Sequence, residues 1–344
     1  MNFIENDIYF QDLKSILDNS FPWERLDGKN VLITGSTGMI GSVLTDLLMV
    51  NPERRYNVYI CGRNEQAAKQ RFSKWWNNNS FHFFTQDLTD EIDSTISFHY
   101  IFHTAGYSYP KAFSEDPIGT FKGTVWGTDN VIRYGTAHGM ERMLFVSTGE
   151  VYGDGNSESW TEDESGYVNP LLPRSCYPTA KRAAENLCVS YCDQSGCDIV
   201  IARPSHILGA TFSDKDNRAY AQFIRDTISG KDIILKSDGL QKRGYCYVAD
   251  CVSALLYIMF FGQKAQAYNI ADEKSFISIK EMANIAAKCS GTKVLFQNPD
   301  DKERKGYSTL NFTRLDTRKL QSLGWKAQDD VHSGFEKIIS ILKT

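Results

Sequence analysis

Long apolar runs are scarce in this chain of 344 residues, and the longest, Ala254 to Phe261, is far too short to cross a bilayer. A cationic excess is missing as well: 38 Lys and Arg stand against 42 Asp and Glu, which argues against an electrostatic nucleic-acid binder. The 8 cysteines include no Cys-x-x-Cys pair. No histidine stands near Cys188, Cys192 and Cys197 at zinc-finger spacing, so no metal site is expected and the thiols read as reduced, buried helix residues. The N-terminus, MNFIENDIYF, lacks the basic start and continuous apolar stretch of a secretory signal, which makes a cytoplasmic protein with no membrane partner the expectation. Internal repeats and low-complexity tracts are absent. What is present, 42% hydrophobic and 23% charged residues, is the composition of a folded globular chain and rules out disorder, collagen and a disulfide-held miniprotein. The length suits two lobes.

Residues 1–28 read as a helical extension, with Ile4, Ile8, Leu13, Ile16 and Leu17 near helical spacing. Packing on the outside of the main domain or engagement of a partner would both use such a face. From residue 30, short apolar runs alternate with helical stretches. Strands are expected at Val31–Thr34, Val58–Cys61, Phe81–Thr85, Tyr100–Thr104, Met143–Ser147 and Asp198–Arg203. Helices are expected at Met39–Met49, Gly119–His138 and Pro178–Ser195, then at Ala219–Ser229, Ala249–Phe261 and Ile279–Ser290. This rhythm predicts an α/β fold, a Rossmann-type doubly wound parallel sheet over 29–203, with a smaller α/β C-terminal lobe formed mainly by 204–344.

The first strand runs into Thr34-Gly35-Ser36-Thr37-Gly38-Met39-Ile40-Gly41, a G-x-x-G-x-x-G loop before an apolar helix. Early glycines permit a tight turn and close approach of backbone to a pyrophosphate, and the last permits helix-on-strand packing. Strand and helix in the required order make dinucleotide binding the reading. An acidic residue after the second strand would bond the adenosine ribose, but the sequence there is Gly62-Arg63-Asn64. Arg63 stands where a 2′-phosphate would lie, which leans the cofactor towards NADP, with NAD beside a solvated Arg63 as the alternative. Asp87, followed by Leu88, is a hydrogen-bond partner for the adenine, and Thr104-Ala105-Gly106 are small enough to line the cofactor crevice.

Tyr177 and Lys181 form Y-x-x-x-K on a predicted helix, one turn apart on one face. A nearby ammonium favours the phenolate, so the tyrosine can act as a base. Upstream, Ser147-Thr148-Gly149-Glu150 closes a strand, where ligands sit in open α/β sheets. Its hydroxyls can bond the oxygen that the tyrosine deprotonates.

With these motifs in order, the chain resembles the extended short-chain dehydrogenase/reductases, in the nucleotide-sugar epimerase/dehydratase group, over about residues 29–330. The resemblance implies an NAD(P) cofactor, a nucleotide-sugar substrate bound between lobes, and a homodimer through the helices around 119–138 and 178–195. It makes Tyr177 the base at the sugar C4 hydroxyl, Thr148 its partner on that oxygen, and Lys181 a ligand of the nicotinamide ribose. Arg174-Ser175-Cys176-Tyr177 and Lys181-Arg182 are similar to the UDP-glucuronate decarboxylases of the group. In Lys242-Arg243-Gly244-Tyr245, Arg243 takes the place of the arginine that meets the nucleotide phosphates, a structural ion pair being the other reading. Ser108, His206 and Arg218 complete the expected substrate contacts.

Two departures bear on the reaction. Gly149 replaces the aspartate that dTDP-glucose 4,6-dehydratases carry beside Glu150, which weakens a 4,6-dehydration. Thr211 replaces the arginine that decarboxylases aim at the substrate carboxylate. Epimerisation or decarboxylation through transient C4 oxidation is the leading expectation. An NADPH-consuming 4-keto nucleotide-sugar reductase and a non-catalytic dinucleotide-binding protein are the alternatives.

Overall fold

The computed structural model describes residues 2–297 and 312–343. Residues 298–311 of the expected C-terminal lobe lie outside the described residues. Seven parallel strands form the main sheet: β1 (Asn30–Thr34), β2 (Asn57–Gly62), β3 (Phe81–Thr85), β4 (Tyr100–His103), β5 (Arg142–Val146), β6 (Ile199–Pro204) and β10 (Ala267–Ile270). Their spatial order is β10-β6-β5-β4-β1-β2-β3. The order reverses between β1 and β4, so the crevice at the carboxyl ends of these two strands is the natural ligand site of such a sheet.

Period-two alternation sends neighbouring side chains to opposite faces. Val31 and Ile33 of β1, Leu144 and Val146 of β5, and Val200 and Ala202 of β6 enter one core. Leu32, Met143, Phe145, Ile199 and Ile201 enter the other. The first face is covered by α2 (Met39–Val50) and α8 (Val248–Phe261), the second by α5 (Pro117–Ala137) and α6 (Cys176–Gln194). Ala180, Ala184 and Cys188 on the buried face of α6 are small, which lets that helix lie close to the sheet. The doubly wound α/β arrangement is therefore the one expected.

After Pro204 the chain does not stay in the smaller lobe, because α8 packs on β5 and β6 and β10 extends the main sheet beside β6. The lobe itself is built on β9 (Lys242–Tyr247), paired with β7 (His206–Leu208) and β11 (Phe276–Ser278), with α7 (Ala219–Ile228) and α9 (Ile279–Ser290) packed together. The N-terminal helix α1 (Asp7–Leu17) buries Tyr9, Leu13 and Ile16 in the first core. Two polar anchors tie it down: the Tyr9 hydroxyl donates to Asp46 of α2 at 2.8 Å, and Asp12 accepts from Tyr247 at 2.6 Å and Lys337 at 2.8 Å.

His103 ends β4 inside the core, its ring nitrogens 2.7 Å from the Thr34 hydroxyl and 3.1 Å from the Thr128 hydroxyl. Burial, with the nearby Lys181 charge, pushes its pKa from 6.5 down to about 3. The unfolded chain takes up this proton well before the folded one, so stability falls as pH drops below 6.5 towards 3. The slope from this group is at most about 1.4 kcal/mol per pH unit. His103→Gln should flatten that acid loss even where it lowers stability at neutral pH, as urea midpoints measured at several pH values would report.

Candidate active site

A cleft of about 2560 Å³ runs along the carboxyl ends of the strands, between the sheet and the smaller lobe. At one end lies the glycine loop. Gly35 has φ +67°, and a Cβ there would sit 2.7 Å from backbone atoms of Ala105. A Cβ on Gly41 would collide with the carbonyl oxygen of Gly35. The loop thus passes directly over the chain that follows β4, a cradle that side chains would fill. Gly38 caps α2 without a side chain, leaving the first-turn amides free of any side-chain partner and facing the cleft, as an anion requires. Thr37, Met39, Ile40, Thr104, Ala105 and Gly106 line the same end. The residues at this end fit a dinucleotide, because a helix N-terminus with free amides favours anionic groups.

Further along β2, Arg63 donates to the Tyr107 hydroxyl at 2.9 Å and lies 3.7 Å from Asp87. Asp87 itself accepts from the amide and hydroxyl of Thr89 at 3.0 and 2.8 Å, and these bonds with the Arg63 charge hold its carboxyl below the usual range. Leu88 packs against Gly127 of α5, its carbonyl bonded by Asn130 at 2.9 Å.

The centre of the cleft holds the hydroxyl pair. Thr148 accepts the amide of Glu150 at 3.2 Å and hydrogen-bonds the Tyr177 phenol. Burial pushes the Tyr177 phenol up to about 12, Glu150 adds to that, and Thr148, Arg218 and Arg174 act against it. Lys181 is buried, donates to the Val146 carbonyl at 2.7 Å, and is pushed down by burial to about 8. The ammonium is thus anchored by the end of β5, one helical turn below the phenol.

At the lobe side stand three guanidiniums. Arg174 places one nitrogen 3.1 Å from each Glu150 oxygen. Arg218 is paired with Asp216, with which Tyr220 also bonds at 2.9 Å. Arg243 is buried and donates only to the Lys242 carbonyl at 3.1 Å and the Gln241 amide oxygen at 3.2 Å among the described residues. It has no carboxylate partner among them, so the ion-pair reading of Arg243 finds no counterpart there. His206 reaches the cleft beside Tyr245, and its pKa is pushed down to about 3 by desolvation and by Arg243, Arg218 and Arg174, so it stays neutral. Ser108 is exposed on the rim of the cleft. Thr211 is buried away from it, bonded to the Met39 carbonyl at 3.1 Å.

Sequence reasoning missed Phe113, Asp216 and Tyr220, and quoted Arg174 and Tyr245 only as parts of motifs. Asp216-x-Arg218-x-Tyr220 has a spacing that could have been noticed. Phe113 is far from Tyr177 in the chain and carries no such signal.

Over residues 31–271 the chain matches the NAD dependent epimerase/dehydratase family. It belongs to that family. It is 30% identical to UDP-glucuronic acid decarboxylase 1 of Danio rerio over 317 residues, 91% of this chain and 72% of that one. It is also 30% identical to UDP-glucuronic acid decarboxylase 5 of Arabidopsis thaliana, over 88% of this chain and 86% of that one. Among solved structures, a UDP-glucuronic acid 4-epimerase from Bacillus cereus, in complex with UDP-glucuronic acid and NAD, aligns with TM-score 0.78 at 20% identity, covering 91% and 99% of the two chains. A dTDP-glucose 4,6-dehydratase from Streptomyces venezuelae with NAD bound aligns at 0.76 and 21%, covering 90% and 96%. At those identities the structures show a shared fold. The lean towards NADP is corrected here, because the family is NAD dependent and Arg63 is already engaged by Tyr107 and Asp87. No helix among the described residues is long and apolar enough to cross a membrane.

Gly35→Ala should destabilise the fold by on the order of 1–3 kcal/mol, since it meets both positive φ and a backbone collision. It should also weaken NAD binding, as thermal unfolding and calorimetric titration with NAD would measure together.

Proposed function

We propose that this protein is an enzyme acting on a nucleotide-activated sugar through transient oxidation at C4, followed by decarboxylation or epimerisation rather than 4,6-dehydration. The observation that carries this reading is the meeting of Thr148 and Tyr177 beside buried Lys181, at the end of β5 and within one cleft with the glycine cradle. Tyr177 takes the C4 hydroxyl proton while Thr148 hydrogen-bonds the same oxygen and holds it in line. NAD, held by Gly35, Gly38, Gly41, Thr104 to Gly106, Asp87 and Lys181, supplies the hydride acceptor when bound. The ammonium of Lys181, fixed by Val146, keeps a positive charge near the developing phenolate.

Once C4 is a ketone, a carboxylate on C5 is a β-keto acid, whose C5–carboxyl bond breaks to release carbon dioxide and leave an enolate. Return of a proton to C5 and of the hydride to C4 would complete a redox-neutral decarboxylation, whereas return of the hydride to the opposite face of the C4 ketone, with the carboxylate kept, would give the C4 epimer. Glu150 is the carboxylate nearest this chemistry, and it is ion-paired with Arg174 at 3.1 Å. The lone Gly149 removes the second acid that elimination of the C6 hydroxyl would need. Arg243, buried without a carboxylate partner among the described residues, is the proposed partner of the nucleotide phosphates, with Arg218 and His206 beside it. Because relatives at 30% identity are named UDP-glucuronic acid decarboxylases, UDP-glucuronate is the first substrate to try. A homodimer through α5 and α6 belongs to the same proposal, supported by the exposed Phe121, Trp126 and Val189 on those helices.

Mass spectrometry of UDP-glucuronate incubated with the purified protein should show loss of carbon dioxide without added cofactor, or a C4 epimer on chromatographic separation. Tyr177→Phe should slow either conversion by about 10²–10⁴-fold with NAD binding retained. Equal turnover in Tyr177→Phe would overturn the role of Tyr177, and a requirement for stoichiometric NADPH would replace the redox-neutral reading by the reductase.

A further inference from the structure

The phenol of Tyr177 belongs to a stacked group assembled from two segments distant in the chain, one carrying Phe113 and the other Arg174 and Tyr177. The ring of Phe113, on α4 (Pro110–Glu115), lies nearly parallel to that of Tyr177, with centroids 4.4 Å apart and 16° between planes. The guanidinium of Arg174 lies over Phe113 as well, its Cζ 4.7 Å from the ring centroid. The Phe113 ring is thus shared between the tyrosine and the arginine. The Nε of Arg174 is buried without a hydrogen-bond partner, while its Nη2 reaches both oxygens of Glu150 at 3.1 Å. Ala112, Phe113 and Tyr177 form a small apolar cluster, with Tyr107, Tyr109 and Cys176 packed around it, separate from the two cores of the sheet.

We infer that Phe113 and Arg174 are positioning residues for Tyr177, the Phe113 ring fixing the plane of the phenol and keeping water from it, and the Arg174 cation clamping that ring while holding the Glu150 carboxylate aside. The inference rests on the proposed reading of Tyr177 as the base. A catalytic phenol must present its oxygen to the substrate within a narrow range of directions, and a ring packed on one face cannot tilt freely. Buried against the Phe113 ring, it is also desolvated, which favours the neutral phenol until substrate arrives. The arrangement places a cation on the Phe113 ring, where it acts on Tyr177 through space without bonding it. Its preference for the Phe113 face is the attraction of a cation to an aromatic quadrupole.

The two residues act on the phenol with opposite signs. The groups facing Tyr177 are Thr148, Glu150, Arg174 and Arg218, with Lys181 one turn further along α6. Removing the Phe113 ring admits water, which favours the phenolate. Removing the Arg174 guanidinium deletes a cation and leaves Glu150 unneutralised, which disfavours it. A merely structural role would lower stability in both variants without opposing shifts.

The test is a pH titration of phenolate absorbance in the NAD-loaded, full-length protein, with Tyr177→Phe subtracted to isolate Tyr177 among 17 tyrosines. Phe113→Ala should move the Tyr177 midpoint down by about one pH unit and Arg174→Met up by about one. Phe113→Tyr should keep it near the parent value, because a flat ring remains. Where Phe113→Ala does not fold, Phe113→Leu serves, since it keeps the volume and loses the ring. In turnover, Phe113→Ala should lower kcat by about 10–100-fold with NAD affinity unchanged. Midpoints that stay in place, or move in the same direction, overturn the inference. The absorbance titration needs no turnover, so failure of the proposed sugar chemistry would appear as an inactive parent protein whose titration still shifts in opposite directions.

Discussion

The close passage of the loop after β1 over the chain after β4 is the constraint on which the rest of the cleft depends. Gly35 and Gly41 leave no room for a Cβ, and only this approach brings the first-turn amides of α2 against the crevice where the strand order reverses. A sheet wound in the other order would put no gap there, and the amides would face helix rather than ligand. The same geometry sets the neighbouring parts: β4 ends in the small residues Thr104 to Gly106 because larger ones would fill the cradle. Further along the sheet, the β5 end supplies both the Val146 carbonyl that seats Lys181 and the Thr148 hydroxyl that meets Tyr177.

Charge is distributed unevenly in the cleft, and the unevenness is informative. Taking a guanidinium out of water is expensive unless a carboxylate or hydrogen-bond set compensates it. Arg174 has Glu150, and Arg218 has Asp216. Arg203, outside the centre of the cleft, has Glu185 at 2.7 Å. Arg243 and Lys181 are buried with backbone or amide oxygens alone among their described hydrogen bonds. Buried cations with a carboxylate partner beside buried cations with none among the described residues mark where the cleft is prepared for negative charge. Neutral His206 between three guanidiniums adds hydrogen-bonding capacity there without adding to the repulsion.

The lobes are held together on the side away from the cleft. α1 carries Tyr9 and Asp12 less than one turn apart, the first bonded to Asp46 of the glycine-loop helix and the second to Tyr247 at the end of the strand that bears Arg243. Lys337 of the C-terminal helix Val331–Lys343 joins the same group, bridging Asp12 and Asp329 at 2.8 and 2.6 Å. Buried polar contacts of this kind restrict a helix to one register, since a slip would strand a carboxylate in the core. The leading segment is thus part of the body that fixes the cofactor cradle and the lobe relative to one another.

Local pattern was enough to read the strands of the main sheet up to β6, the three long helices between them, the glycine loop and the Tyr177–Lys181 pair, because each depends on periodicity or on spacing within one turn of chain. The short helices Glu65–Arg71 and Pro110–Glu115 were not read. The agreement is close: the strand expected at Phe81–Thr85 is found there, and the helix expected at Gly119–His138 spans Pro117–Ala137. The sequence alone could not decide what depends on residues distant in the chain. Arg63 looked free to receive a phosphate until folding brought Tyr107 and Asp87 to it. Thr211 looked like a lost carboxylate partner, yet the fold turns it away to Met39. Phe113 and Arg174 gain their meaning only when α4 is laid against α6. Return of α8 and β10 to the main sheet, after the chain has entered the smaller lobe, is equally a matter of which surfaces bury best together. Short-range spacing is written in the order of residues, whereas desolvation and charge pairing are properties of neighbours, and only the tertiary structure decides who the neighbours are.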